Sequence, residues 1–548
     1  MNTRTSRFAA KAAMAGFIRR IGIAGCVMAL VGLAACDPPK DAGAPHTRAA
    51  QPANATTPPA RPFTVLAGSE LKDVAPALEQ AARAAGVQLQ LSYAGTLDMV
   101  ERVNGGEAFD AILPPNGAYP ALALAAKPVA REKLFYSRVA LGVKPAVLQK
   151  LGWANAPPTW ADIARAAAAG QLRYGMTNPT TSNTGMSALF AVASAAAGKT
   201  EDLSAQEIKS DVLKNFLKGQ QLTAGSSGWL AEAFARDPSA VDALVNYEAV
   251  ILRLNPQLPK DQQLALVYPR DGVITADYPL MLLKADQRAA FDALVAQIKA
   301  PAFQGEPLRQ AFLRPANPDA QANPALPAGA VAELAFPNRL EVIDAVLMAY
   351  QSDLRRPATS IFVLDTSGSM RGQRLADMQQ ALKLLSGAQA GAASQRYAAF
   401  QARERVTLIP FWDTVGKPVH IAFTPDTLAQ SRRQIADYAD QLKADGGTAI
   451  YDALTQAARL ARDDLRRDPD RFVSIVLLTD GENNRGRSFE QFAKDQRAQS
   501  PMVRVFPIMF GEAAPHEMEQ LAELTHGRVF DARKTALAQV FKEIRGYQ

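Results

Sequence analysis

From residue 62 to the end of the chain, short apolar runs of strand length alternate with amphipathic segments of helical period. FTVLAGS passes into DVAPALEQAARAAG, then VQLQLSYAG, then TLDMVERVNGG and FDAILPP. From residue 357 onward the pattern resumes with SIFVLD, RVTLIPF, VHIAF, FVSIVLLTD, VRVFPIMFG and GRVFDA, mostly with helical segments between. Strand and helix periods in succession leave few architectures, because each element must bury a face against the other kind. The expected class is α/β: a parallel sheet with covering helices in the first half, and a doubly wound sheet buried on both faces in the second. A chain of 548 residues has material for two or three domains.

The residues before 62 are of another kind. A basic stretch ends at Arg19-Arg20, Ile21 to Ala35 is apolar, and Cys36 follows. That run is shorter than the ~20 residues a spanning helix prefers, and it ends in small side chains as a cleaved secretion signal does. Leu33-Ala34-Ala35-Cys36 resembles a bacterial lipobox, which implies that Cys36 is acylated, palmitate included, and becomes the mature N-terminus. An uncleaved membrane anchor is the alternative, and Arg19-Arg20 half-matches a twin-arginine signal without its usual continuation. Residues 1–35 are thus expected to be a signal peptide. Residues 36–61, rich in Pro, Ala and Thr, read as a semi-extended tether. Asp37 follows the lipidated position; in enteric bacteria that residue goes with retention at the inner membrane. The expected location is the periplasmic face of the inner membrane, ahead of the outer membrane.

The formal charge of +7 would suit nucleic acid, but its distribution does not. Arg4, Arg7, Lys11, Arg19 and Arg20 all precede Cys36, with no Asp or Glu among residues 1–35. The body left after cleavage is close to neutral and has no electrostatic case for DNA or RNA. The only two cysteines are Cys26, inside the signal, and Cys36. The mature chain therefore keeps no thiol for a disulfide, a zinc cluster or nucleophilic catalysis.

Within residues 62–320, hydroxyl-rich, glycine-containing loops lead into helices at Gly68-Ser69, Gly95-Thr96 and Asn178 to Gly185. Free N–H groups at such helix starts can hold a ligand, although ordinary capping produces similar loops. The segments AGSELKDVAPALE, SYAGTLDMVERV, DAILPPN, YGMTNPTTSNTGMSALFAV, VNYEAVIL and VYPRDGVITADYPLMLL resemble a type II periplasmic solute-binding protein. The resemblance implies two α/β lobes around a hinged cleft and a small-molecule ligand, with Ser69, Thr96, Thr180, Thr181, Ser182, Thr184 and Tyr247 as candidate cleft residues. Glu70 departs from that pattern, since a carboxylate at the cleft disfavours an anion unless paired. ASAAAGKT, residues 193–200, fits a relaxed phosphate-loop pattern but lies late in a helical run, so Gly198 is expected to end that helix.

Residues 321–356 form a Pro-containing connector around the amphipathic RLEVIDAVLMAYQSDL. The unit from 357 to 548 carries the sharpest constellation. Asp365, Ser367 and Ser369 sit where the strand SIFVLD meets solvent, Asp480 ends FVSIVLLTD in the same way, and Thr448 lies in a glycine turn entering a helix. Ligands of doubly wound sheets bind beyond such carboxyl ends. Two carboxylates and three hydroxyls offer only oxygen, which suits Mg²⁺ or Mn²⁺ and not zinc. The set resembles the metal-ion-dependent adhesion site (MIDAS) of a Rossmann-like von Willebrand factor A (VWA) domain: Asp-x-Ser-x-Ser at 365–369, then Thr448, then Asp480. By that resemblance Ser367, Ser369 and Thr448 bind metal directly, Asp365 and Asp480 directly or through water, and a partner's acidic residue completes the shell; Glu482 is a candidate outer group. Catalysis finds little support, because His46, His420, His516 and His526 belong to no motif and the serines have no evident base. The expected function is a lipid-anchored, cell-envelope binding protein that is not an enzyme. The alternative is the substrate-binding lipoprotein of an ABC-type importer.

Overall fold

The structure is a computed structural model that describes residues 61–387, 397–511, 514–533 and 537–547. The expected signal peptide, nearly all of the expected tether and Cys36 lie outside the described residues. The described residues form one compact unit. Its chain is already anchored at Arg61, which pairs with Asp110 at 2.9 Å and Asp286 at 3.2 Å.

The first half contains two sheets, one per lobe. The first lobe orders its strands Leu89–Tyr93, Phe63–Ala67, Ala111–Leu113, Pro279–Leu282 and Ala130–Lys133. The second runs Thr275–Ala276, Phe135–Val143, Ala243–Tyr247, Tyr174–Thr177 and Gln220–Ala224, with Ala265–Val267 and Arg314–Pro315 also paired to Phe135–Val143. The expectation of a parallel sheet is corrected here. Parallel pairing holds where helices connect the strands, but Pro279–Leu282 and Phe135–Val143 pair antiparallel with their neighbours. Both strands follow crossings between the lobes without an intervening helix, so they need not run with the others. The crossings lie at Leu134 and at Asp277-Tyr278, and they are joined by the Leu134 N–H donating to the Tyr278 carbonyl at 3.2 Å. Tyr278 has φ +32°, unusual for a bulky residue, and its buried ring packs 5.0 Å from Phe135. Packing thus holds a strained crossing in place.

Gly198 ends the helix Asn183–Ala197 in the left-handed conformation, φ +68°, so ASAAAGKT is a helix terminus and not a strand-to-helix loop. The connector is not a loose linker: its helix Leu340–Ala349 buries Val342, Ile343, Val346 and Leu347 in the core of the first half.

The second half is one six-stranded sheet. In chain order its strands are Ala358–Asp365, Arg405–Phe411, Val419–Ala422, Phe472–Thr479, Arg504–Met509 and Phe530–Asp531; in space they lie third, second, first, fourth, fifth, sixth. All pairings are parallel except at the edge strand Val419–Ala422. The eight residues of Ala358–Asp365 are all buried. Phe362 and Leu364 enter one core with Met378, Leu382 and Phe541, while Ile361 and Val363 enter the other with Ile450 and Leu454. Alternate side chains thus fill opposite faces, each large one contributing roughly 1.5–3 kcal/mol of burial. The first of these cores continues into the second lobe through Leu222, Leu230 and Phe234. Among the described residues no helix is long and apolar enough to cross a membrane.

Candidate functional site

The strand order reverses between Ala358–Asp365 and Phe472–Thr479, and the two candidate carboxylates sit at the ends of those two strands. Neighbouring loops diverge at such a reversal and leave a crevice. Asp365 is fully buried; one carboxylate oxygen accepts the Ser367 N–H at 2.9 Å and the other the Thr479 hydroxyl at 2.7 Å. Burial pushes its carboxyl up to about 6, and the charge of Asp480 adds to the rise. Ser367 Oγ lies 3.0 Å from Ser369 Oγ, and Ser369 Oγ donates to Asp480 Oδ1 at 2.8 Å. Thr448 is brought in from the third loop. A Cβ on Gly481 would stand 3.7 Å from Ser369 Oγ and 3.9 Å from Thr448 Oγ1, so both hydroxyls face the room beside that glycine.

Backbone bonds lock these loops together. Gly368 N–H donates to the Gly446 carbonyl at 2.9 Å and Asp445 N–H to the Thr366 carbonyl at 2.9 Å. Asn484 Oδ1 accepts the Thr448 N–H at 2.9 Å, and Asp413 Oδ1 accepts the Gly447 N–H at 2.9 Å. Gly446, at φ +77°, has no room for a side chain because a Cβ would lie 2.4 Å from the Asp413 carboxylate. Glu482 is exposed on the same loop.

The oxygens pass a simple test for a small hard cation. Octahedral bonds of about 2.1 Å, the Mg²⁺ value, give ligand–ligand edges of about 3.0 Å. The Ser367–Ser369 and Ser369–Asp480 separations are 3.0 and 2.8 Å. Among the described residues no three His, Cys, Asp or Glu side chains are grouped so as to hold a metal ion. Sequence reasoning missed Arg374, whose guanidinium pairs with Asp480 Oδ2 at 2.5 Å. Its position early in the helix Gln373–Ser386, just after the serines, was the available signal.

In the first half, Ser69, Thr180 and Thr181 line one cavity of about 450 Å³, together with Gly95 and Leu97 on either side of Thr96. Among the described residues, the helices Thr96–Asn104 and Ser227–Arg236 begin there without a side-chain cap, and the buried hydroxyls of Thr96 and Ser226 have no partner. The other candidates point into the protein. Thr184 bonds to the Ser227 hydroxyl, Tyr247 accepts the Asn183 amide at 3.0 Å, and Ser182 is buried at the start of its helix. Even Thr180 and Thr181 are committed, to Asn178 Oδ1 at 2.8 Å and the Gly225 carbonyl at 3.1 Å. The two lobes touch: a Cβ on Gly95 would lie 1.9 Å from the Thr181 carbonyl oxygen. Glu70 is buried, its carbonyl accepting from Arg253 at 3.3 Å, and burial pushes its carboxyl up to about 7.

The fold thus pairs a bilobed α/β body with a sheet bearing hydroxyls and aspartates at its switch point. Residues 63–306 match the bacterial extracellular solute-binding protein family, and residues 361–543 match the von Willebrand factor type A domain. The chain therefore joins a solute-binding domain to a VWA domain. Over 190 residues, 33% of this chain, it is 28% identical to inter-alpha-trypsin inhibitor heavy chain H4 of Sus scrofa; the match spans 19% of that protein's length. Among solved structures, the periplasmic binding protein P5PA aligns with a TM-score of 0.42 at 16% identity, over 54% of this chain and 99% of its own. The ferric binding protein from Campylobacter jejuni aligns at 0.40 and 15%, over 52% and 96%.

Proposed function

We propose that this chain is a lipid-anchored binding protein of the bacterial cell envelope, whose VWA domain grips an acidic residue of a protein partner through Mg²⁺ or Mn²⁺. The observation that carries this reading is the row Ser367 Oγ, Ser369 Oγ, Asp480 Oδ1 at octahedral-edge spacing, with Thr448 facing the same room. The three hydroxyls would hold the cation directly, and Asp365 and Asp480 directly or through water. Bound there, a divalent cation supplies a coordination position for an external carboxylate. Ser369 is exposed while Ser367 and Asp365 are buried, so the site opens on one side only. Trp412, an exposed aromatic whose loop carries Asp413, stands at that opening beside Gly446 and offers apolar contact to a partner.

The reading is non-enzymatic. Ser369 donates to a carboxylate and not to a histidine, and His420 bonds to Thr407 on the edge strands. An extracellular or periplasmic location follows from the solute-binding family match, and retention at the inner membrane is the finer proposal. Cys36→Ser should abolish lipid labelling; unchanged labelling and detergent partitioning would sink the anchor. Calorimetric titration of Mg²⁺ and Mn²⁺ into the protein, with an acidic peptide mimic present, tests the metal site. Silence at millimolar metal would make the site vestigial.

The second reading, a substrate-binding lipoprotein of an ABC-type importer, is favoured by the two uncapped helix starts and by the Thr96 and Ser226 hydroxyls, which have no partner among the described residues. Hydrogen exchange across a small-solute panel tests it through joint protection of the loops at 69, 96 and 180–184.

A further inference from the structure

We propose that the cavity at the mouth of the solute cleft is a composite binding site, walled by both lobes and by the last helix of the VWA domain, that takes a small zwitterion with an apolar body. This rests on the solute-cleft reading and adds a third wall and a ligand class. The cavity of about 450 Å³ is lined by Lys72 and Tyr93 from the first lobe, Trp229 from the second, and Arg528, Val540 and Glu543 from the VWA domain. Small-ligand pockets span roughly 300–1,000 Å³.

The VWA wall is fastened to both lobes. On the first, Lys542 of the helix Leu537–Arg545 pairs with Glu101 at 3.4 Å. On the second, Asn178 Nδ2 donates to the Arg545 carbonyl at 3.2 Å and Thr223 Oγ1 to the Gly546 carbonyl at 3.3 Å. Neither domain alone would enclose this space.

Its charges fix the ligand class. Lys72 Nζ stands 5.4 Å from the Tyr93 ring centre and 5.7 Å from that of Trp229. Arg528 stacks 3.5 Å over Trp229 and donates to the Tyr547 hydroxyl at 2.9 Å. Of the other charged lining residues, Lys542, Arg545 and Asp531 are paired with Glu101, Glu404 and Arg533, and Asp98 also has a partner. Among the described residues Lys72, Arg528 and Glu543 form no ion pair within 4.0 Å; burial raises the Glu543 carboxyl, and Arg528 and Lys72 act through space to keep it ionised. A simple anion would suit Lys72 and Arg528 but be repelled by Glu543, and a simple cation would meet the reverse. A neutral ligand would leave both signs desolvated and unmatched. A zwitterion answers both, and Tyr93, Trp229 and Val540 receive its apolar part.

Isothermal titration calorimetry on the full chain tests this with alanyl-phenylalanine, its N-acetylated and C-amidated forms, and sulfate. The free dipeptide should bind, and either blocking group, Glu543→Gln or Lys72→Met should weaken it at least tenfold. Circular dichroism of each variant separates loss of the site from loss of the fold; should Glu543→Gln not fold, the blocked dipeptides on the wild-type chain decide. Dipeptide binding indifferent to these changes, or binding of sulfate alone, overturns the zwitterion site and leaves the solute cleft standing. No heat from any probe, with no exchange protection of the loops at 69, 96 and 180–184, overturns both.

Discussion

The two candidate sites are made of the same material, serine and threonine hydroxyls in loops at strand ends, and the fold uses that material in opposite ways. In the VWA domain, residues 111 positions apart in the chain meet at a hydrogen-bonding distance, Ser369 Oγ to Asp480 Oδ1 at 2.8 Å, and the Ser369 and Thr448 hydroxyls face the room beside Gly481. In the solute-binding domain most hydroxyls are committed to the protein: Thr184 to Ser227, Thr180 to Asn178 and to the Gln351 amide at 3.0 Å. A hydroxyl in a glycine-rich loop is therefore not a ligand group by composition. It is left facing open room where the sheet's switch point keeps its neighbours apart.

The comparison breaks most decisively at Asp365. Asp365→Ala should abolish Mg²⁺- and Mn²⁺-dependent stabilisation and partner binding altogether, while the metal-free domain unfolds at an equal or higher temperature. Removing a carboxylate that burial and Asp480 both disfavour relieves the empty site. Calorimetric melts with and without metal read both effects, and metal stabilisation persisting in the mutant would refute the assigned role.

On the cleft side, Glu70 provides the next largest effect. Its folded value of about 7 stands above the ordinary 4.5, so between those pH values the folded state holds more protons than the unfolded one. Stability contributed by protonated Glu70 is present below pH 4.5 and lost as pH rises through about 7. Glu70→Gln should flatten that decline and raise stability at pH 8 by on the order of 3 kcal/mol at most. Chemical denaturation from pH 4 to 8 checks it; parallel profiles for mutant and wild type would contradict the burial of a charged Glu70.

Gly95→Ala forces a methyl group toward the Thr181 carbonyl and must push the lobes apart. A loss of about 1–3 kcal/mol is expected, as for other overpacked contacts. Faster exchange in the loops at 95 and 181 should accompany it; an unperturbed variant would show that the lobes do not meet there. The smallest effect sharpens the metal site. Arg374→Met removes the cation that pairs with Asp480, so divalent affinity should rise about tenfold, about 1.4 kcal/mol, through lost competition. A fall in affinity would instead make Arg374 a support for the site.

Much of this molecule is legible in its sequence because the physics concerned is local. Alternating side chains such as Ile361 and Phe362 must face opposite ways along a strand, so a run like SIFVLD announces a sheet covered on both faces. An aspartate or serine at the end of such a run must lie at the sheet's edge, which is why Asp365, Ser367, Ser369 and Asp480 could be grouped before any coordinates. Gly198 could be named as a helix end for the same kind of reason. What no local pattern carries is which loops end up facing each other. Arg374 on Asp480, Arg253 on the Glu70 carbonyl, Gly95 against Thr181, the antiparallel return of Pro279–Leu282, and the last VWA helix across the cleft mouth join residues tens to hundreds of positions apart. Such contacts depend on how whole sheets and helices dock, and only the tertiary structure decided them.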